Sequence, residues 1–247
     1  MTTTDESNSQ PVLDVADLQV AYGDLVAVWG ASLQLVPGRI TALVGRNGAG
    51  KTTLLAGICG LLPARSGSVA LDGRAVTGLP PWKRVRLGMS IVQEGKQVFR
   101  DLSVHDNLRV GLRGRRSGRG EDDTILAELY ERFPVLGERR RERAGALSGG
   151  QQQMLAIATA LAARPRVLLV DEPSSGLAPV ITDQVFELLD RLRGEGLAIL
   201  LVEQLVDELL GGIADDVVVL ERGRVTLRDR AANLSAETIA DSIYSSI

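Results

Sequence analysis

The apolar and polar positions divide this chain into short runs of two distinct periods. Over residues 13–28, alternation in "LDVADLQVAYG" predicts exposed antiparallel strands, and "SVALDGRAV" has the pattern of a hairpin turning at Asp72 and Gly73. Between them, "GRITALVGRNGAGKTTLLAGICGLL" reads as an apolar strand, a glycine-rich loop and a helix with Leu54, Leu55, Ile58, Leu61 and Leu62 on one side. Residues 82–147 change character. They lose strand-like runs and carry helical patterns in "SVHDNLRVGL" and "DDTILAELYERF", separated by a flexible "RGRRSGRGED". After Ser148 the pattern alternates: helix 151–163, strand 167–170, helix 182–193, strand 198–202, helix 205–210, strand 217–220. Such alternation predicts an α/β fold around a parallel sheet, with chemistry at the C-terminal ends of its strands. Residues 1–10 are expected to be disordered, and no internal repeat is visible.

Composition narrows the function classes. The chain has 247 residues, 45% hydrophobic and 24% charged, with a net charge of −3. That size supports a substantial core, and the slight acidity argues against a nucleic-acid partner. Arginines cluster at Arg113, Arg115, Arg116, Arg119 and at Arg139, Arg140, Arg141, Arg143, read here as a solvated face or loop. The single cysteine, Cys59, excludes an internal disulfide and sits among apolar residues as a packed thiol. The start, "MTTTDESNSQP", has no signal-peptide apolar segment. The longest apolar runs are strand-sized, well short of the about 18 residues that suggest a membrane span. A membrane role would have to come through a partner.

Two stretches carry chemistry. "GRNGAGKT", residues 45–52, fits G-x-x-x-x-G-K-[ST] in full, with a strand before it and a helix after it, as phosphate binding requires. Gly45, Gly48 and Gly50 let the backbone wrap round phosphate oxygens at a positive helix terminus. Lys51 is expected to hold the β- and γ-phosphates and Thr52 to ligate Mg²⁺. Arg46, Asn47, Ala49 and Thr53 complete the nucleotide-binding stretch. The second element, "RVLLVDEP", delivers Asp171 and Glu172 to the end of a buried strand. Two adjacent carboxylates there are costly unless a cation shares the site. A nucleotide-bound Mg²⁺ supplies one, with Asp171 acting through its water shell and Glu172 polarising the attacking water.

"LSGGQQQ", residues 147–153, lies between these elements and just before a helix. It resembles the signature motif of ATP-binding-cassette (ABC) ATPases, a likeness extending over residues 12–245. The resemblance implies the ABC ATPase fold: a P-loop core over a parallel sheet, an N-terminal antiparallel β subdomain and an inserted α-helical subdomain. Residues 11–247 would form one domain, with 11–92 and 148–247 as the core and 93–147 as the helical insert. It implies ATP and Mg²⁺ as cofactors and a head-to-tail dimer, in which Ser148, Gly149 and Gly150 of one cassette close over the γ-phosphate of the other. Ser148 would join Lys51 in stabilising transition-state charge. Tyr22, in "VAYGD", would stack on adenine. Gln93, in "SIVQEG", would reach Mg²⁺ and sense a membrane partner.

Two positions depart from the wider family pattern. Ala178 follows "DEPSSGL" where the family usually has an aspartate, and Gln204 stands where it usually has a switch histidine. The one histidine, His105, lies in the helical stretch and is read as a surface or cap residue. These departures, with "LSGGQQQMLAIATAL" and "LLVEQ", resemble the smaller ATPase type of branched-chain amino-acid importers, and equally the urea and short-chain amide importers. The implied partners are a paralogous ATPase or second copy, membrane-spanning permeases near Gln93, and indirectly an extracytoplasmic binding protein. The implied location is the cytoplasmic side of the membrane. A non-transport ABC ATPase and a P-loop kinase are the other classes the motifs admit. Gln204 would face the γ-phosphate, able to donate and accept hydrogen bonds but not to become cationic near neutral pH. Glu203 is open between a solvated strand end and a partner that orders a loop.

Overall fold

A computed structural model describes residues 10–115 and 119–244. The expected disordered residues 1–9 and Arg116 of the first arginine cluster lie outside the described residues. Branched apolar runs form the interior strands: β3 (Ile40–Val44), β7 (Val167–Asp171) and β8 (Ala198–Val202) are buried at every position. With β6 (Met89–Val92), β9 (Asp216–Glu221) and β10 (Arg224–Arg230) they make a six-stranded sheet in the order β10-β9-β3-β8-β7-β6. All neighbours pair in parallel except β10, which is antiparallel to β9. Continuous apolar runs are what a parallel sheet covered on both faces requires.

The antiparallel layer consists of β1 (Leu13–Tyr22), β2 (Leu25–Leu35), β4 (Ala64–Leu71) and β5 (Arg74–Ala75), in the order β2-β1-β4-β5. Its alternating residues Leu13, Val15, Leu18, Val20 and Val28 are buried rather than exposed, so one face of this sheet is core. The hairpin at Asp72 and Gly73 joins β4 to β5, pairing Leu71 with Arg74.

Successive residues of a strand point to opposite faces, and this splits the interior in two. Leu43, Leu169, Leu200 and Val218 join α1 (Lys51–Cys59) and the antiparallel sheet in one cluster. Ala42, Val170, Ile199 and Val217 face the helical side. That side holds α3 (Val104–Leu112), α4 (Arg119–Arg132), α5 (Pro134–Glu138), α6 (Gly149–Leu161) and α7 (Pro179–Gly194). The helix α2 (Pro81–Arg86) precedes β6, and α9 (Ala236–Tyr244) follows β10. Among the described residues no helix is long and apolar enough to cross a membrane.

Three expectations need correction. Residues 82–147 contain a core strand after all: β6 pairs with β7 from Met89–Val167 to Val92–Val170. Its run is only four residues long and includes Ser90, which the strand nevertheless buries. The helix at 205–210 is a single turn, α8 (Val206–Glu208), followed by a π-turn over Leu209–Ile213 in which Gly212 takes φ 120°. His105 is neither a surface residue nor a cap. It is half-buried, its Nδ1 lies 2.8 Å from the Tyr130 hydroxyl, and the cap of α3 is Ser103.

Elsewhere local chemistry matches local structure. Cys59 is buried, and desolvation pushes its thiol up to about 12, as for an inert core residue. Arg84 is 2% exposed and caps the end of α1, donating to the carbonyls of Gly57, Ile58, Thr77 and Leu79. Of the second arginine cluster, Arg140, Arg141 and Arg143 are exposed.

Candidate active site

The loop between β3 and α1 is the centre of the site. Gly45 is required by close approach, because a Cβ there would lie 2.2 Å from the Leu220 carbonyl oxygen. Gly50 caps α1 at φ 104°, a conformation that side chains oppose. The loop is held from outside as well, since Gly223 N–H in the β9–β10 turn donates to the Ala49 carbonyl at 2.7 Å. Loop backbone N–H groups at a helix N-terminus then form an anion cradle. Lys51 is 5% exposed; its ammonium donates to the Gly45 carbonyl at 2.7 Å and the Arg46 carbonyl at 3.3 Å, and lies 3.7 Å from Glu172 Oε1.

Parallel pairing brings the remaining groups to the same edge. Asp171 pairs with Val202 across β7 and β8, so the residues that follow each strand emerge together. Gln204 Nε2 donates to Glu172 Oε1 at 2.8 Å and to Asn47 Oδ1 at 3.0 Å. The amide thus ties the phosphate loop to the carboxylate beside it. Glu172 itself adopts φ 44°, unusual for a residue with a side chain. Strain of this kind is concentrated at functional sites.

Asp171 is 2% exposed, and its Oδ1 has no hydrogen-bond partner. Burial raises its pKa above the ordinary carboxylate value, opposed by a hydrogen bond from Thr52 and reinforced by Glu172 and Glu94. A buried oxygen left without a partner, beside a threonine hydroxyl, fits a divalent cation held through few protein oxygens. No cluster of three or more acidic, histidine or cysteine side chains suited to a metal exists among the described residues. Mg²⁺, which keeps waters and shares phosphate oxygens, needs none.

The structure gathers Asn47, Lys51, Thr52, Asp171, Glu172 and Gln204. Tyr22 ends β1 at the edge of this group, 53% exposed, its hydroxyl 3.3 Å from Thr53 Oγ1. Gln93 is exposed just past β6 and lines an open groove of about 300 Å³ with Val85, Gln97, Gly111 and Thr159. Ser148, Gly149 and Gly150 are placed elsewhere. Ser148 caps α6 in a capping box with Gln151, and a Cβ on Gly150 would meet Ile181 at 2.6 Å. The described hydrogen bonds of Ser148 run to Gln151 and Gln152 of α6. Ala178 caps α7 with no side-chain hydrogen bond.

Sequence patterns do not reveal one residue of this region, Lys96, and leave another, Glu203, open between two readings. Lys96, at φ 54°, places its ammonium 3.5 Å from the Gly176 carbonyl and against Gly149. Glu203 is 2% exposed, which rules out a solvated strand end. It accepts from Ser174 N–H at 3.0 Å and from Gln204 N–H at 3.1 Å, and burial raises its pKa while the Ser174 bonds oppose the rise. The pairing of an acid with Gln204 was the available signal.

A largely parallel sheet with a glycine-rich loop, a buried Asp171 and a part-exposed Glu172 at its edge is the arrangement of a P-loop ATPase. Residues 28–175, more than half of the chain, match the family model described as "ABC transporter". The chain belongs to the ABC transporter family and is an ATPase subunit with the ABC ATPase fold. It is similar to the high-affinity branched-chain amino acid transport ATP-binding protein BraG of Pseudomonas aeruginosa, 43% identical over 86% of this chain and 90% of the relative. It is similar also to the probable LivF of Archaeoglobus fulgidus, 37% identical over 90% and 94% of the two chains. A ribose import protein, RbsA 2 of Escherichia coli O157:H7, is 32% identical over 93% of this chain and 46% of its own. Among solved structures, a nucleotide-free ATP-binding cassette from an ABC transporter superposes with a TM-score of 0.82, at 25% identity over 96% of each chain.

Proposed function

We propose that this chain hydrolyses ATP to drive uptake of branched-chain amino acids through membrane-spanning permease subunits. The observation that carries the hydrolytic reading is the convergence of Lys51, Asp171, Glu172 and Gln204 on one loop. Lys51 and the loop N–H groups bind the phosphates and offset charge that develops in the transition state. Thr52 would ligate Mg²⁺, Asp171 would hold it through its water shell and Gln93, just past β6, would reach it; bound there, the ion would neutralise phosphate charge. Glu172 orients and polarises the attacking water, and Gln204 holds that carboxylate in place while offering an N–H toward the γ-phosphate. Tyr22 stacks on adenine. Ser148, Gly149 and Gly150 act on the nucleotide of a second ATPase in a head-to-tail dimer, paralogous or identical, which accounts for their separation from the loop in one chain.

Permease docking near Gln93 has physical support. The groove it lines is bordered by α2, and Trp82, Phe99 and Leu102 are exposed large apolar side chains. Exposed apolar patches mark interaction surfaces, and these side chains are the candidates for one on α2 and the segment after Gln93. The subunit would then be peripheral on the cytoplasmic face, with a solute-binding protein acting across the membrane. The solute reading rests on likeness to BraG and LivF; urea and short-chain amides are the second reading, and likeness to a ribose import protein adds a third solute. The test is co-purification with the permeases and measurement of ATPase activity in proteoliposomes with binding protein. Leucine, isoleucine or valine is expected to stimulate turnover. Stimulation by urea, an amide or ribose alone would overturn the solute assignment.

A further inference from the structure

Glu203 joins the two polypeptide turns that carry Glu172 and Gln204. The first turn follows β7: Glu172 N–H donates to Val202 O at 3.0 Å, Ser175 N–H to Glu172 O at 3.1 Å, and Leu177 N–H to Ser174 O at 3.0 Å. The second follows β8, where Val206 N–H donates to Gln204 O at 3.0 Å. Glu203 Oε1 accepts from Ser174 N–H and its Oε2 from Gln204 N–H, so one carboxylate spans both turns. The Gln204 side chain returns to Glu172 Oε1 at 2.8 Å. The path from Glu172 through Ser174, Glu203 and Gln204 back to Glu172 is therefore closed.

A closed ring has a purpose that its separate bonds lack. Glu172 sits at φ 44°, where an unconstrained glutamate does not stay. Beyond the last ladder bond, from Glu172 N–H to Val202 O, the two turns are joined to each other through the side-chain bonds of Glu203 and Gln204. A carboxylate is the side chain that can accept two backbone N–H bonds in different directions; an amide of the same shape offers one oxygen and turns N–H against the second donor. Burying the acid is costly unless those bonds are made.

We propose that Glu203 is a positioning residue for hydrolysis, holding Gln204 and the Glu172 turn in register through its two backbone hydrogen bonds. This rests on the reading of Glu172 and Gln204 as the groups serving water and γ-phosphate. It predicts a loss in turnover without a loss in nucleotide affinity, because Lys51 and the loop N–H groups are not part of the ring. It also predicts that Glu203 acts through Gln204, so their effects are not independent.

The experiment is a double-mutant cycle of Glu203→Gln and Gln204→Ala in the full chain, reading kcat, KM for Mg-ATP and Tm. Glu203→Gln is expected to lower kcat about tenfold, since small displacements of reacting groups cost up to about a hundredfold, with KM within about twofold. In the Gln204→Ala background the same substitution should cost less than about twofold, because coupled residues are non-additive. Glu203→Asp, which keeps the charge but shortens the reach, should show the same kcat-only loss and serves if the glutamine variant folds poorly. A kcat unchanged in both variants, or a loss that carries over undiminished into the Gln204→Ala background, overturns the proposal. Failure of the underlying reading is separately visible: Gln204→Ala alone would then keep full turnover.

Discussion

Replacing Asp171 by asparagine should stabilise the nucleotide-free protein while removing its response to magnesium. The buried Oδ1 has no partner, and both Glu172 and Glu94 disfavour the charge. Leaving a buried polar group unsatisfied costs about 1–3 kcal/mol, more when it is charged. An amide of equal shape keeps the Thr52 contact and, though the buried position stays without a partner, removes the added cost of its charge, about 1–2 kcal/mol. For a domain of this size about 1 kcal/mol moves Tm by roughly 2–4 °C, so the variant should melt about 2–8 °C higher. The sign follows from linkage. A carboxyl whose folded pKa is raised makes the protein lose stability as pH climbs from its unfolded value through its folded one. The advantage of Asp171→Asn is thus largest at neutral pH and fades below the ordinary carboxylate range. Ligand at about a hundred times its Kd adds about 2.7 kcal/mol, and in wild type much of that should require Mg²⁺ with ATP. Differential scanning fluorimetry with EDTA, ATP or Mg-ATP measures each arm. A variant that melts below wild type without nucleotide, or that gains the full Mg²⁺-dependent shift, would refute the reasoning.

Gln204→Ala should slow turnover more than it weakens ATP binding, and the wild-type rate should show no kinetic pKa from this position; Gln204→His should introduce one near the ordinary histidine value of about 6.5. Matching pH–rate profiles for the wild-type and histidine proteins, with full activity in the alanine variant, would count against it. Arg84→Ala removes the donor to four carbonyls, including Gly57 and Ile58 at the end of α1. Stability should fall by about 1–3 kcal/mol, the cost of leaving buried acceptors without their donor, read by urea unfolding; an unchanged stability would contradict the capping role.

The phosphate loop was legible because chemistry dictates its letters: Gly45 touches the Leu220 carbonyl, Gly50 needs positive φ, and Lys51 must lie between loop and phosphate. Interior strands were legible as unbroken apolar runs, and Asp171 and Glu172 as charges ending one of them. The pairing of β7 with β8 brings Gln204 to the same edge, in keeping with the expectation that it faces the γ-phosphate. Short or edge elements were not legible. Ser90 interrupts the apolar run of β6. In β10, "RVTLRDR" presents mostly exposed side chains because an edge strand packs on one side only. Glu203 stayed open between two readings for a different reason: an acid after a strand ordinarily marks the exit to solvent. Only the folded turns show two N–H groups converging on it. Ser148 was legible as the residue just before a helix, and the structure makes it the cap of α6.

The central claim, that Glu172 serves the attacking water in a site where Lys51 and the loop bind the nucleotide, is tested most directly by Glu172→Gln. The glutamine keeps the shape but cannot polarise water as a carboxylate does. The account predicts steady-state hydrolysis reduced by about 10²–10⁴, the range of general acid–base contributions, with Mg-ATP bound at least as tightly as by wild type. Hydrolysis near the wild-type rate in that variant would contradict it.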